Sequence, residues 1–201
     1  MVSSSDDSDD AAPVQSVTEE EAPAEETAAD ETVEEDAAPA EEAEEETSAE
    51  DVPAEYTSAL TSAETYADVM HMSKQAIFDQ LTSEFDQFSE EAAQYAIDTI
   101  DADWNENALK SAETYSDTMH MSKQGIFDQL TSQFDQYTDE QAQYAIDNID
   151  ADWNENALES AKVYQEEMAM SPDAIHDQLT SEYGGKFTQE EADYAIENLN
   201  S

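Results

Sequence analysis

Residues 60–109 read LTSAETYADVMHMSKQAIFDQLTSEFDQFSEEAAQYAIDTIDADWNENAL, and this stretch decides the fold because it recurs. It returns almost unchanged over residues 109–158 and in a diverged form over residues 158–199. A period of about fifty residues is typical of one small structural unit used several times. The sequence therefore predicts a repeat protein, in which function is spread along an array rather than held in one cleft.

Each copy is predicted to fold into three short helices, which makes the repeat region all-α. In the second copy, one face of the first helix is marked by four residues at helical spacing: Ala108, Ala112, Tyr115 and Met119. Ser122 is a natural N-cap for the second helix, and a capping box at Thr138 and Gln141 opens the third. The predicted units are helix-turn-helix-like repeats at residues 56–104, 105–153 and 154–201.

The arm that precedes the repeats has a different composition. Residues 1–55 hold 22 of the chain's 53 acidic residues, no Lys or Arg, and no aromatic residue. A segment of this kind cannot bury enough apolar surface to offset its chain entropy. We therefore predict a disordered acidic N-terminal spacer over residues 1–55.

The segments that join the repeats, residues 101–107 and 150–156, contain neither Gly nor Pro. A loop and a helix that runs on into the next repeat are both compatible with that composition. Trp104 and Trp153 lie within these links and are expected to wedge neighbouring units together.

The first link also has part of the spacing of a calcium-binding loop. Four of its residues alternate as the oxygen ligands of such a loop do: Asp101, Asp103, Asn105 and Asn107. Glu106 stands where the loop needs glycine, and Ala112 stands where it needs a bidentate Glu. The second link fails at the same two places, so helix capping by Asp and Asn is the favoured interpretation and no metal site is predicted.

Histidine and methionine recur at fixed places in the repeats. His71 and His120 are equivalent, but one histidine per unit without a second His or Cys nearby is poor spacing for zinc. His176 stands where Phe78 and Phe127 stand, which indicates a half-buried core position. The methionines are interpreted as core filler: Met70, Met72, Met119, Met121, Met168 and Met170.

The charge of the chain limits its partners. The net charge is −48, and outside residues 1–55 there are still 31 acidic residues against five lysines. Nucleic acid and anionic membrane surfaces need basic contacts that the chain lacks, so neither is predicted as a partner. A basic partner is the electrostatic expectation, and charge that serves only to keep the protein dispersed and monomeric is the alternative.

Catalysis has no basis in the sequence. There is no cysteine, and neither a Gly-rich phosphate loop nor an ordered Ser/His/Asp set marks an active site. No stretch is long and apolar enough for a transmembrane helix. We therefore predict neither an enzyme nor a bound cofactor.

Exposed acids at equivalent positions of the repeats are the candidate partner contacts. For any single one of them, a solvated helix face is the simpler interpretation. The candidates are Asp79, Asp128, Asp177, Asp98, Asp147 and Glu197.

The recurring segments resemble a known family. AL, DQLTS and YAI follow one another in all three copies, and the third copy continues as SEYGGKFTQEEADYAIENL over residues 181–199. Over residues 57–201 this pattern resembles the repeat of host cell surface-exposed lipoproteins, the Ltp-type family of superinfection exclusion lipoproteins. The motifs are fairly specific because they recur in order three times.

The resemblance implies a location and a role. Such proteins are small three-helix repeats on the outer face of the cytoplasmic membrane, where a lipidated N-terminal cysteine and an unstructured acidic spacer hold them. The prophage member blocks DNA injection by an incoming phage by engaging its tape measure protein. This sequence departs from the pattern because it has no lipobox cysteine, so the N-terminal lipid anchor is absent from this chain.

We therefore expect a monomeric cell-surface binding module that captures a basic or amphipathic protein segment, in this reading one of a phage tape measure protein. Two alternatives stay open. One is a structural or adhesion repeat of the host envelope, and the other is an intracellular acidic DNA mimic.

Overall fold

The computed structural model describes residues 52–200. Within that range the chain forms nine α-helices and no strand, which confirms the all-α prediction. Of the predicted spacer, residues 1–55, the part from residue 1 to residue 51 lies outside the described residues. Its last two residues, Ala54 and Glu55, belong to the first helix.

The helices form three successive sets of three. The first set is α1 (Ala54–Asp68), α2 (Lys74–Leu81) and α3 (Glu90–Thr99). The second set is α4 (Trp104–Met119), α5 (Lys123–Leu130) and α6 (Asp139–Asn148). The third set is α7 (Trp153–Met168), α8 (Pro172–Thr180) and α9 (Gln189–Asn198). In each set the long first helix packs along the third, and the short second helix contacts both.

Side-chain caps fix the starts of the second and third helices. The hydroxyl of Ser122 accepts a hydrogen bond from a backbone N–H in the first turn of α5. The side chains of Thr138 and Gln141 each accept from the backbone N–H of the other, and Thr188 and Glu191 repeat this arrangement at α9. The predicted N-cap at Ser122 and the predicted capping box at Thr138 are therefore confirmed.

Each repeat has its own small core, built largely from alanine. In the second repeat Ala108 and Ala112 of α4 are fully buried, as is Ala142 of α6, so the two helices approach closely. Ile126 and Leu130 of α5 are also fully buried and fill the remaining space. The predicted apolar face of the first helix is confirmed as far as Tyr115.

The prediction that the methionines fill the core is right for three of the six and wrong for the other three. The side chains that pack on the cores are Met72, Met121 and Met170. The side chains that are 58–59% exposed are Met70, Met119 and Met168. The long helix runs past the core at its end, since no residue of α4 after Ser116 is buried and α6 is six residues shorter.

The first helix of each set is followed by a residue in the left-handed conformation. His71, His120 and Ala169 have φ values of 51°, 49° and 52°. Histidine is among the residues that occupy this region more readily than most. The recurrence of His71 and His120 therefore has a backbone explanation that needs no metal.

His176 takes the place that phenylalanine holds in the other repeats. Its side chain is half-buried, as predicted. One ring nitrogen lies 3.0 Å from a carboxylate oxygen of Asp193 on α9, so the imidazole joins α8 to α9 through a polar contact.

Candidate functional site

The links between repeats are short loops followed at once by helix, which settles the choice that the sequence left open. A break separates α3 from α4, and α4 begins at Trp104 with Asp103 as its N-cap. The Asp103 carboxylate accepts hydrogen bonds from the backbone N–H groups of Asn105 and Glu106, each at 3.1 Å. Asp152 caps α7 in the same way. Capping by the link aspartates is therefore confirmed.

A buried asparagine in each link joins two repeats. Asn107 is 8% exposed, and its side-chain amide donates to the backbone carbonyls of Ala67 at 3.1 Å and Met72 at 3.3 Å in the preceding repeat. Asn156 is equivalent, and its amide donates to the hydroxyl oxygen of Ser116 at 2.9 Å. These asparagines therefore hold neighbouring repeats together, although their spacing in the sequence is that of calcium ligands.

The link residues that have the spacing of a calcium-binding loop do not converge as metal ligands. Asp103 is engaged by backbone N–H groups, and Asn107 faces the preceding repeat. In the part of the chain that the structure describes, no cluster of three His, Cys, Asp or Glu side chains is arranged to hold a metal ion.

The left-handed residues present their carbonyl groups to the next repeat. The carbonyl of His71 accepts a hydrogen bond from the hydroxyl of Ser111 at 3.2 Å and another from the hydroxyl of Tyr137. The carbonyl of His120 accepts from Ser160 at 2.9 Å. The left-handed turn therefore orients a backbone carbonyl for hydrogen bonding to the next repeat.

Two tryptophans cover the boundaries between repeats. Trp104 packs on the core of the first repeat and Trp153 on the core of the second, which confirms the predicted wedge. Glu55 takes the corresponding place at the start of the first repeat. The backbone N–H of Ser89 donates to its carboxylate at 2.8 Å, and this hydrogen bond lowers the pKa of Glu55. The first repeat thus has a glutamate at the position where the second and third repeats have a tryptophan.

Two of the candidate acids bridge neighbouring repeats. Asp79 accepts a hydrogen bond from the side-chain amide of Gln136 in the second repeat at 2.8 Å. Asp128 forms an ion pair with Lys186 of the third repeat. Asp177 has the same position in the third repeat, and its side chain is exposed.

The environment of Asp128 favours its charged form. Partial burial raises the pKa of Asp128, but hydrogen bonds from Lys186 and Gln124 and the positive charge of Lys186 outweigh that effect. The pKa of Asp128 is therefore lower than its usual value, and the carboxylate is ionised at neutral pH.

The other three candidates lie exposed on the third helix of each repeat. Asp98 is 4.0 Å from the ammonium of Lys74, so the first-turn lysine of α2 pairs with an acid of another helix. Asp147 accepts from the side-chain amide of Gln143 at 2.8 Å. Glu197 is exposed. We call these three acids the outer row, and they lie on separate repeats rather than in one pocket.

A groove recurs at both boundaries, and sequence reasoning missed it. Its volume is about 350 Å³ between the first and second repeats and about 290 Å³ between the second and third, and every lining residue of one copy has its equivalent in the other. Phe78 and Ile97 give the first copy an apolar floor. The first copy is lined by Lys74, Gln75, Phe78, Gln94, Ile97, Gln136, Thr138 and Gln141.

Comparison with known protein families agrees with the three-part architecture. A family model described as host cell surface-exposed lipoprotein matches residues 54–100, 103–149 and 152–199. A search of curated proteins finds no match. The chain is similar to the solved structure of Ltp, a superinfection exclusion protein from the Streptococcus thermophilus temperate phage TP-J34. That similarity has 50% sequence identity and a TM-score of 0.45, and it covers 48% of this chain and 95% of the other.

The family assignment rests on the matches to the family model. Each match begins within a few residues of α1, α4 or α7 and spans three helices. Between residues 52 and 200, no helix has the length and apolar character required to cross a membrane. Because the matches together cover well over half of the sequence, this chain belongs to the family of host cell surface-exposed lipoproteins.

Proposed function

We propose that this chain acts in superinfection exclusion. It captures a basic or amphipathic segment of an incoming phage's tape measure protein at the outer face of the cytoplasmic membrane and so blocks DNA injection. The observation that carries the proposal is the array of exposed carboxylates at equivalent positions of three repeats. The description of the family as surface-exposed supports the location, with attachment through an N-terminal lipid anchor.

The acidic surface of the repeats has little positive charge to interrupt it. The repeat region holds all five lysines of the chain, and four of them lie within 4.0 Å of a carboxylate. Those lysines are Lys74, Lys110, Lys162 and Lys186. A basic segment that approaches therefore meets a negative field over each repeat, and salt is expected to weaken the attraction.

The repeated arrangement suits an extended partner better than a small molecule. The outer row places one acid on the third helix of each repeat, at Asp98, Asp147 and Glu197. A long basic segment can contact several repeats at once, and each added contact raises the overall affinity. A small substrate gains nothing from such spacing, which is why we favour a binding module over an enzyme.

The test is phage infection of a sensitive Gram-positive host that displays the full chain on its surface as a lipid-anchored protein. Phage should still adsorb, while entry of phage DNA, measured by quantitative amplification of intracellular phage sequences, should fall. A charge-neutralised outer row, D98N/D147N/E197Q, displayed at equal density should restore entry. Normal DNA entry in cells that display the native chain would rule the proposal out and favour a structural role in the envelope.

A further inference from the structure

Each repeat exposes one aromatic side chain at the loop between its second and third helices. Phe85 is 89% exposed, Phe134 is 73% exposed and Tyr183 is fully exposed. A single exposed ring is ordinary, but one ring at the same place in every repeat forms a regular apolar feature on an otherwise acidic surface.

The backbone that carries these rings is held in a defined turn. The hydroxyl of Ser83 accepts hydrogen bonds from the backbone N–H groups of Phe85 at 3.2 Å and Asp86 at 3.4 Å. The hydroxyls of Ser132 and Ser181 accept the corresponding hydrogen bond from the backbone N–H groups of Phe134 and Tyr183. The ring is therefore presented by an ordered turn, which reduces the entropy lost when a partner binds.

In the first two repeats, a hydrogen bond joins the last turns of the first helix to the turn that carries the ring. The hydroxyl of Tyr66 donates to the carboxylate of Asp86 at 2.7 Å, and Asp86 adjoins Phe85 in the chain. Met70 stands four positions after Tyr66, just beyond the end of α1, and Met119 stands four positions after Tyr115 at the end of α4. We call the exposed methionine and the exposed ring of each repeat, taken together, the Met–aromatic pairs: Met70 with Phe85, Met119 with Phe134, and Met168 with Tyr183.

Carboxylates surround these pairs in the sequence. Glu84 and Asp86 flank Phe85, Asp135 follows Phe134, and Glu182 precedes Tyr183. Repulsion between like charges disfavours a second copy of this chain or an anionic bilayer as the occupant. The chemistry of the surface instead matches a segment that is both apolar and positively charged.

We propose that the Met–aromatic pairs are the apolar part of the partner-binding surface and take a cationic amphipathic segment. This inference rests on the proposed function and specifies the partner's chemistry, because positive charge alone is then insufficient. Apolar side chains of the segment pack on the flexible methionines. Its Lys or Arg side chains lie across the ring faces and reach the flanking carboxylates.

The test compares two synthetic peptides of equal length and equal positive charge, one an amphipathic Leu/Lys helix and the other a Ser/Lys peptide. Binding to the full chain is measured by fluorescence anisotropy. The variant F85S/F134S/Y183S removes the three rings, and thermal unfolding checks that it folds. The matched control Y144S/Y194S removes two tyrosines that are 39% and 38% exposed on the third helices.

The native chain should bind the Leu/Lys peptide more tightly than the Ser/Lys peptide by about tenfold or more, and the ring variant should lose that preference while the control keeps it. Equal binding of both peptides, unchanged in the ring variant, would overturn this inference and leave the proposed function intact. Failure to bind either peptide would overturn both. Binding to phosphatidylcholine vesicles that the ring variant loses would assign the pairs to lipid and also overturn the inference.

Discussion

The side-chain amide of Asn107 lies 3.1 Å from the backbone carbonyl oxygen of Ala67, across the boundary between the first two repeats. The same amide also donates to the carbonyl of Met72, and Asn107 is buried there. Because each repeat has only a small core, hydrogen bonds of this kind couple the units into one array.

Replacing Asn107 by alanine is expected to lower the free energy of unfolding by about 1–3 kcal/mol, because buried hydrogen bonds are lost and space opens at the boundary. Urea unfolding followed by circular dichroism measures the change. The control is Asn105→Ala in the same helical turn, where the side chain is exposed and the expected change is within about 0.5 kcal/mol. Equal effects of the two substitutions would contradict the role of Asn107.

Asp128 and Lys186 form a second contact between repeats, and its strength should depend on pH. The pKa of Asp128 is lower in the folded chain than its ordinary value of 3.8. The ion pair therefore stabilises the fold above that value and is lost as pH falls through the lower, folded pKa. Both side chains are about one-third exposed, at 39% for Asp128 and 31% for Lys186, so the contribution should stay below about 1 kcal/mol.

The measurement is the difference in the free energy of unfolding between the native chain and D128N. That difference should be present at about pH 6 and should shrink towards about pH 3, and salt should also reduce it. D177N is the matched control, because Asp177 has the same position in the third repeat, while its exposed side chain forms no ion pair within residues 52–200. A D128N effect that does not change with pH, or a D177N effect of equal size, would argue against the bridge.

The local chemistry of the sequence is enough to predict most of the fold. Helical spacing, the Ser122 N-cap and the capping box at Thr138 involve residues within a few positions of one another, and the structure has them where the sequence indicates. The first helix begins two residues before the predicted start of the first repeat at position 56. The other two boundaries differ by one residue, because the predicted repeats end at residues 104 and 153, which are the first residues of α4 and α7.

The contacts between repeats could not be predicted in the same way. Asn107 had the spacing of a calcium ligand, yet its partners lie 35 and 40 positions earlier in the chain. One signal was available, because Asn107 and Ser111 are four residues apart on one helix face and recur as Asn156 and Ser160. The exposure of Met119 could not be predicted from helical spacing either, because it depends on where α6 ends.

Tyr137 offers a test at alkaline pH. Its hydroxyl donates to the carbonyl of His71 in the first repeat, and burial, with a smaller contribution from the charge of Asp135, raises the pKa of Tyr137 to about 12. A folded pKa above the ordinary value of 10 means that the neutral tyrosine stabilises the fold below about pH 10. That stability is lost as pH rises towards about 12.

Tyr137→Phe is expected to cost about 0.5–1.5 kcal/mol at neutral pH through the lost hydrogen bond, and the cost should diminish above about pH 10. Urea unfolding at the two pH values measures it. Tyr144→Phe is the control, because that tyrosine is 39% exposed and the loss of its hydroxyl should leave the free energy of unfolding at neutral pH nearly unchanged. Phe187 holds the equivalent place in the third repeat, so the ring alone is compatible with the fold.

Two glycines should respond to alanine with opposite signs. Gly125 lies inside α5, where a Cβ atom would meet the hydroxyl of Ser122 at 3.1 Å, and the first repeat accommodates Ala76 at the same place. Glycine inside a helix costs about 0.5–1 kcal/mol relative to alanine, so Gly125→Ala should raise the free energy of unfolding by roughly that amount.

Gly184 lies in the one-residue insertion of the third repeat, where a Cβ atom would lie 2.4 Å from the backbone carbonyl oxygen of Gln178. Backbone cannot yield as a flexible side chain does, so Gly184→Ala should lower the free energy of unfolding by about 1–3 kcal/mol. Thermal unfolding of the two single variants decides the matter, with a rise in Tm for Gly125→Ala and a fall for Gly184→Ala. Changes of the same sign would show that close approach of the backbone is not what requires glycine at position 184.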